Sequence, residues 1–377
     1  MFTERTGMTP IDDLTHIRHV TVPVESAAHP IPEQPNALTN TVSAHLVRLV
    51  LHGAAHAGVS PHEIAFISEF TPAALEDDLN RFPTVAQHRL WELVLGTGGP
   101  GVGLRVASLA EMGRLHVWDY LLSSAPTLAQ GFTDAARYLA TVADPVLVMN
   151  VAQDGPLVTV GYRGSPYSEA VDGQISEFAL AILMRRACEA RGAAAIPVRV
   201  GFAHRAPGRH GHLAEAFGTS NIQFDQEADT LTFLDPDRAA PEQPPDPELG
   251  RIMRLYAASI MDSARPVRTW IENFRGVLLA TLADANVSSN VLDEVAQRLS
   301  MSSRTLQRRL AEHGTSGRAE IESIRYERAV QMLVDTQLPV NSIAGHLGYS
   351  DHRALGRAFR RWTGQTPDAY RKQRARV

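Results

Sequence analysis

Three glycines in the segment LGTGGPGVGLRVA have the spacing of a dinucleotide-binding turn, G-x-G-x-x-G. They are Gly96, Gly98 and Gly101, and such a turn lets the backbone approach a pyrophosphate. A strand should precede it, but the residues before Gly96 continue a helical stripe that begins at Ala86. Pro100 also removes a backbone donor from the turn. We therefore predict that these glycines end a helix and bind no nucleotide.

Several histidines have a spacing that would allow them to bind a metal ion. His52 and His56 would share one helix face at a separation suited to zinc. We find no third ligand nearby in the sequence and interpret the pair as part of an amphipathic surface. His204, His210 and His212 fall in a segment rich in glycine and proline, which we interpret as a solvated basic loop. No nucleophile motif such as G-x-S-x-G is present. We expect no metal, no other cofactor and no catalytic site.

A repeat in the last third of the chain carries the strongest chemical pattern. Val295-Ala296-x-x-Leu299-x-Met301-Ser302 returns 48 residues later as Ile343-Ala344-x-x-Leu347-x-Tyr349-Ser350. Each copy offers a β-branched anchor, a small residue where two helices cross, and Ser300 or Gly348 in the turn. Ser302 and Ser350 are placed to cap the helix that follows. Two helix-turn-helix units are predicted.

The helix after each cap alternates apolar and basic residues. Leu306 and Leu310 would face inward in the first copy, and Leu355 and Phe359 in the second. The opposite faces carry Arg304, Gln307, Arg308 and Arg309 in the first copy, and Arg353, Arg357, Arg360 and Arg361 in the second. Arginine forks match guanine edges and phosphates in a bidentate manner. A single copy is compatible with a surface helix that is merely basic, whereas two capped copies favour DNA binding.

One continuous helix is predicted between the two units, from Ala319 to Val334. A rigid helix there would present both recognition helices to the same side of a duplex. Entry into successive major grooves requires a separation of roughly 34 Å. One chain would then contact two adjacent groove segments.

Charge is distributed unevenly along the 377 residues. From Ala285 to Val377 there are 15 Lys and Arg against 9 Asp and Glu, a net of +6, while the remainder of the chain has a net of −11. This asymmetry is typical of a nucleic-acid-binding end joined to another domain. The single cysteine excludes an intramolecular disulfide, and no apolar stretch is long enough for a membrane span. We expect a cytoplasmic protein with no membrane contact.

Periodicity divides the chain into an α+β N-terminal domain and an all-α C-terminal domain. The predicted domains are a mobile leader (1–35), an α+β effector-sensing or oligomerisation domain (36–250), a connecting helix (251–266) and a DNA-binding domain (267–377). A proline-rich break runs from Ala239 to Glu248, and we expect only helices after it. The predicted helices of the first domain are Asn40–Ala57, Val85–Leu95, Leu128–Val142 and Glu169–Arg191, and its strands are Val146–Val151, Leu157–Tyr162, Val198–Phe202 and Thr230–Leu234.

The segments MSSRTLQRRL and LGYSDHRALGRAFRRWTGQTPDAYR strongly resemble the DNA-binding domain of AraC/XylS-type transcription regulators. The resemblance covers about residues 267–371, with two helix-turn-helix motifs joined by a linker helix. It implies DNA contacts within the two caps and recognition helices: Ser302, Ser303, Arg304, Gln307, Arg308, Ser350, His352, Arg353, Arg357 and Arg361. Gly356 and Gly345 depart from the residues usual in the family, which suggests that the second unit relies more on phosphates.

The upstream segments GLRVASLAEMGRLHVWDYLLSSAPTLAQGFTDAARYL and FGTSNIQFDQEADTLTFLDPD are similar to the arabinose-binding-like domain of one branch of that family. The resemblance implies a regulator, more often an activator, that responds to an unknown small-molecule effector. It further implies promoter DNA and RNA polymerase as partners, and a possible homodimer. Two alternatives remain open: an enzyme domain fused to a DNA-binding domain, and a nonspecific architectural DNA binder.

Overall fold

The computed structural model describes residues 38–164, 166–191, 195–234, 246–283 and 290–374. The predicted leader lies outside these residues, as does most of the proline-rich break. The N-terminal half contains β1 (Thr41–Ser43), α1 (Ala44–Ala57), α2 (Pro61–Ile64), α3 (Pro72–Glu76), β2 (Asn80–Pro83), α4 (Thr84–Gly98), α5 (Val102–Ser108), α6 (Val117–Ser123), α7 (Leu128–Arg137), a 3-10 turn (Leu139–Thr141), β3 (Val148–Asp154), β4 (Leu157–Arg163), α8 (Glu169–Arg191), β5 (Arg199–Gly201), α9 (Gly211–Phe217), β6 (Ile222–Gln223) and β7 (Asp229–Leu234).

The C-terminal half contains α10 (Pro247–Ser263), β8 (Arg265–Pro266), α11 (Trp270–Ala283), α12 (Val291–Arg298), α13 (Ser303–Glu312), α14 (Gly317–Asp335), α15 (Val340–His346), α16 (His352–Thr363) and α17 (Pro367–Arg374). The expectation of helices only after the proline-rich break is wrong at β8. This two-residue strand has no sequence signature of its own, because it is defined by its pairing with β2. No helix in the described ranges is long and apolar enough to cross a membrane.

A five-stranded sheet with the order β3-β4-β7-β5-β6 forms one layer of the N-terminal half. Its neighbours pair antiparallel except β5 and β6, which are parallel. The hairpin and the four predicted strands are confirmed, and their ends agree to within one residue except in β3, which begins two residues and ends three residues later than predicted. Helix α8 was predicted with the bounds that the structure has, and it buries residues on several sides, among them Phe178 and Leu183.

A second, three-stranded sheet has the order β1-β2-β8, with β8 parallel to β2. Strand β1 replaces the first turn of the helix predicted from Asn40, because Val42 pairs with Phe82 and both side chains are buried. The guanidinium of Arg81 is 2% exposed and donates to the carbonyl oxygens of Thr41, Ala140 and Ala143. One buried arginine thus ties β2 to β1 and to the turn before β3.

The glycine-rich turn separates two helices, as predicted. Helix α4 ends at Gly98, and Gly99 (φ +68°) and Gly101 (φ +73°) take left-handed conformations before α5 begins. Gly103 lies inside α5, where an added Cβ would be 2.2 Å from the carbonyl oxygen of Gln174. This glycine therefore permits the close crossing of α5 over α8.

Two small hydrophobic cores form the region after β8, and α14 contributes to both. The first core contains Phe274, Val295 and Leu306 together with Ile324 of α14. The second contains Ile343 and Phe359, to which α14 adds Ala329 and Leu333. Helix α14 is continuous, as predicted, and it is the structural element that the two cores share.

Candidate functional site

The first helix-turn-helix unit consists of α12, a short turn and α13. Ser300 lies in the turn with φ +54°, and Ser302 caps α13 by accepting a hydrogen bond from Thr305 N (3.2 Å). Both placements were predicted. The Ser303 hydroxyl donates to Asp293 of α12, which holds the recognition helix on its partner.

The exposed face of α13 carries Arg304, Gln307 and Arg308. The last two follow the first by three and four residues, so all three lie on one side of the helix. Leu306 and Leu310 point into the first core with 1% exposure each. Arg308 lies 3.6 Å from Glu312 in an exposed ion pair, which costs little to break when another anion is offered. The structure thus brings three predicted contact residues together on one solvent-facing surface.

The second unit consists of α15, a turn and α16. Gly348 has φ +73° in the turn, matching Ser300 of the first unit. The predicted cap at Ser350 is wrong, because Asp351 caps α16 and accepts from Ala354 N at 2.7 Å. An ionised carboxylate is a strong acceptor beside the positive end of a helix, and it shifts the start of α16 by one residue.

A surface concavity of about 640 Å³ lies along α16. Its basic lining comprises His352, Arg353, Arg357, Arg360 and Arg371, with Asp368 as the one acidic group among its residues. The first four side chains are exposed. Gly356 also lines the concavity, and an added Cβ there would meet nothing within 4 Å. This surface has the charge and shape expected for contact with a phosphate backbone.

Three arginines of this region have partners within the protein. Arg361 points to α14, where it lies 3.1 Å from Glu322, and the structure does not bring it together with Arg353 and Arg357. Arg309 lies over the ring of Trp270 at 5.7 Å. Arg371 donates to the carbonyl oxygens of Leu333 and Leu338, near the end of α14.

Trp270, at the start of α11, connects the N-terminal half to the first recognition helix. Its backbone N–H lies 3.5 Å from the buried Glu69 carboxylate, and its ring stacks on His313 at 5.2 Å. His313 follows the last turn of α13. Burial lowers the pKa of His313, so the ring is mainly neutral in this contact at pH 7. This junction was not predictable from the sequence, because nothing in a lone tryptophan indicates its distant partners.

A cavity of about 380 Å³ lies in the N-terminal half, among α4, α8 and the five-stranded sheet. Its apolar wall includes Trp91, Trp118, Met149, Phe178 and Ile182. None of these lining residues was predicted to form a pocket. The lining residues come from many separate elements, so no local motif could have located the cavity.

Two acceptor atoms at the cavity lack partners in the described part of the chain: Gln87 Oε1 and His204 Nε2. Gln87 is only 4% exposed. By contrast, Asp229 accepts from Ser176 Oγ (2.6 Å) and from Ala203 N (2.8 Å). Buried polar atoms normally have hydrogen-bond partners. The two unpartnered atoms therefore indicate where a bound molecule would supply donors.

A cluster of His45, Asp78 and His116 has ligand atoms within 4.8 Å of one another. Arg48 donates to Asp78 Oδ1 (2.6 Å) and lies 2.9 Å from His45 Nδ1. The His45 and His116 rings stack at 4.4 Å, and burial lowers the pKa of His45 to about 4. The cluster is organised around a guanidinium cation, which already neutralises the carboxylate.

Comparison with known proteins gives a family match for each half of the chain. A family model described as "Arabinose-binding domain of AraC transcription regulator, N-term" matches residues 58–241. A second model, of a helix-turn-helix domain, matches residues 295–373. The HTH-type transcriptional regulator VirS of Mycobacterium tuberculosis is 32% identical over 282 residues, which are 72% of this chain and 78% of VirS. The ornithine utilization regulator of Pseudomonas aeruginosa is 27% identical over 275 residues, 73% of this chain and 79% of that protein.

The crystal structure of the transcriptional regulator CdpR from Pseudomonas aeruginosa aligns with 87% of this chain and 98% of its own, at 21% identity and a TM-score of 0.40. At that score the likeness adds nothing to the family assignment. The fold and the relatives together define a helix-turn-helix transcription regulator with an α+β ligand-sensing domain. The chain belongs to the AraC family of transcription regulators.

Proposed function

We propose that the exposed faces of α13 and α16 are the surfaces with which this regulator contacts its operator. Arg304, Gln307 and Arg308 would contact base edges in one major groove. His352, Arg353 and Arg357 would do so in the next groove, where Arg360 would add a phosphate contact. The observation that carries the proposal is the joint exposure of these side chains on two capped helices that α14 connects.

The remaining predicted residues have supporting roles in this proposal. Ser302 and Ser303 would stabilise α13 and direct its free N-terminal amides to a phosphate. Ser350 would contribute a phosphate contact from the turn before α16. Arg361 is paired with Glu322, so we assign it a phosphate contact that competes with this ion pair.

We further propose that the protein acts as an activator that contacts RNA polymerase and binds its promoter as a homodimer. The exposed apolar residues of α10, among them Leu249, Ile252 and Leu255, support a dimer contact at this helix. Binding of a small-molecule effector would change how the subunits are arranged and thereby which half-sites they reach together. The relatives are regulators, which supports a role without catalysis.

The proposed base contacts are tested by Arg308→Ala and Arg357→Ala. Each substitution should cost about 1–3 kcal/mol in DNA binding and relax base preference at one position. Binding is measured by fluorescence anisotropy on the operator and on operators with single base-pair changes. Arg114→Ala, at an exposed site between α5 and α6 and outside both α10 and the recognition helices, is the matched control and should leave affinity unchanged.

Two outcomes would contradict the assignment of base contacts. A loss of affinity that is uniform across all sequences would assign the arginine to phosphate. Footprinting that protects random DNA evenly, without a discrete site, would favour the architectural binder over a sequence-specific regulator.

A further inference from the structure

The 380 Å³ cavity of the N-terminal half has walls suited to an apolar molecule. Its size is at the lower end of the range for small-molecule sites. Trp91 and Phe178 pack edge to face at 5.3 Å on one side, and Trp118 and Ile182 add further apolar surface. The Trp118 N–H is already bound to Ala135 O at 3.0 Å. A sugar with many hydroxyls would find few partners on this wall.

The two buried polar atoms of the cavity that lack a partner among the described residues are both acceptors. His204 Nδ1 lies 2.9 Å from the carbonyl oxygen of Arg205, which can only accept, so Nδ1 carries the proton in the neutral ring. His204 Nε2 is then an acceptor, as is Gln87 Oε1, and both lack a partner among the described residues. A ligand that donates hydrogen bonds would satisfy them, whereas a ligand that only accepts would not.

The charges around the cavity disfavour an anion. Asp144, Asp172 and Asp229 all contribute carboxylates to its lining. Arg163 is the arginine among the lining residues, and it lies exposed at the edge, where it donates to Glu227 O (3.0 Å). A buried carboxylate or phosphate on the ligand would face like charges. Besides Arg163, the basic side chains among the described lining residues are His204 and His88, and burial lowers the pKa of His88 and so disfavours its charged form.

We propose that this cavity is the effector site. Its ligand has an apolar body about the size of an aromatic ring and one head group that donates hydrogen bonds, an amine or a hydroxyl. Ligands with a carboxylate or a phosphate are rejected. The inference rests on the sensing role of the N-terminal domain. It does not depend on the DNA-contact residues proposed above.

The test uses the full chain and four probes that share one body: phenylbutylamine, phenylbutanol, phenylbutyrate and butylbenzene. Binding is followed by quenching of tryptophan fluorescence, because Trp91 and Trp118 line the cavity. The amine and the alcohol should bind about tenfold more tightly than the carboxylate, a difference of about 1.4 kcal/mol. Butylbenzene reports the contribution of the body alone.

Gln87→Leu removes one acceptor with little change in volume. It should weaken phenylbutanol by about fivefold to tenfold and leave butylbenzene unchanged. Gln153→Leu, the same substitution at an exposed site on β3, is the matched control and should alter neither probe. Thermal melting without a probe establishes that both variants fold.

Three results would overturn the inference: phenylbutyrate binding as tightly as the amine, no probe binding at all, or an unchanged preference in Gln87→Leu. Operator affinity is measured on the same samples without probes. Loss of the expected probe binding with intact operator binding would contradict this inference alone. Loss of operator binding with intact probe binding would contradict the proposed DNA contacts alone.

Discussion

Glu177, on α8, is a buried carboxyl group whose Oε2 has no partner within the described residues. Burial raises its pKa to about 7, against an ordinary value of 4.5. The folded state therefore binds a proton more tightly than the unfolded state, and this group lowers stability as the pH rises from about 4.5 through 7. Glu177→Gln, which keeps the shape of the protonated acid, should remove that loss.

The measurement is the free energy of unfolding in urea at a series of pH values. The advantage of Glu177→Gln over the parent should grow from near zero at acidic pH to roughly 3 kcal/mol above pH 8. A difference that is the same at every pH would show that packing, and not ionisation, accounts for the change.

Individual residues were predictable where a local rule decides them. Ser302 caps α13 as expected, because an N-cap hydroxyl acts on an amide three residues away. Asp351 displaced Ser350 because two good caps are adjacent in the sequence, and the repeat alone cannot rank them. Gln87 carried no local signal, since its surroundings are formed by distant segments. The interpretation of the His204 segment as a solvated loop is wrong for His204 itself, whose Nε2 is buried at the cavity.

At the scale of elements, the crossing of α5 over α8 depends on Gly103. Gly103→Ala would force a Cβ to within 2.2 Å of the Gln174 carbonyl oxygen, which belongs to backbone and cannot move aside alone. We expect a loss of about 1–3 kcal/mol in the free energy of unfolding. Gly96→Ala is the matched control, because an added Cβ there meets nothing within 4 Å.

The control should raise stability by about 0.5–1 kcal/mol, since alanine is the better residue inside a helix. Both values are obtained from urea unfolding followed by circular dichroism. Equal effects of the two substitutions would contradict the role of Gly103 in the crossing.

Elements with strong periodicity were predictable, and elements defined by a partner were not. The apolar pattern of α8 is continuous from Glu169 to Arg191, and its predicted bounds agree with the structure. Helix α4 extends three residues beyond the predicted end, to Gly98. Strand β8 has two residues and exists only through its pairing with β2, so its sequence contains no pattern to detect.

At the scale of the whole molecule, β8 joins the sensing half to the DNA-binding half. Val267 N–H donates to Arg81 O at 2.7 Å, and the Arg81 side chain binds the carbonyl oxygens of Ala140 and Ala143 beside the cavity. Val267→Pro removes this donor without touching either helix-turn-helix core. The two halves should then melt in separate transitions in place of a joint one.

Calorimetry measures the transitions, and operator affinity of the variant should stay close to that of the parent. Val267→Ala keeps the N–H and serves as the matched control, which should melt like the parent. If both variants melt in two separate transitions, packing of the Val267 side chain and not the strand pairing couples the two halves. If both melt in a single transition, the Val267 N–H does not couple them.

The division into an α+β half and a helical half was predictable from changes in periodicity, and the double helix-turn-helix from its repeat. The cavity and the Trp270 junction were not, because both are assembled from residues that are distant in the chain, such as Glu69 and His313. A single sequence does not encode such pairings in any local pattern.

Because α14 buries residues in both cores, its length sets the rotational phase between the two recognition helices. Inserting one residue would turn one unit by about 100° and move it about 1.5 Å relative to the other. A change in the length of α14 would therefore alter the spacing between the two DNA segments that the proposed contact faces reach, whereas substitutions on α13 and α16 would leave that spacing as it is.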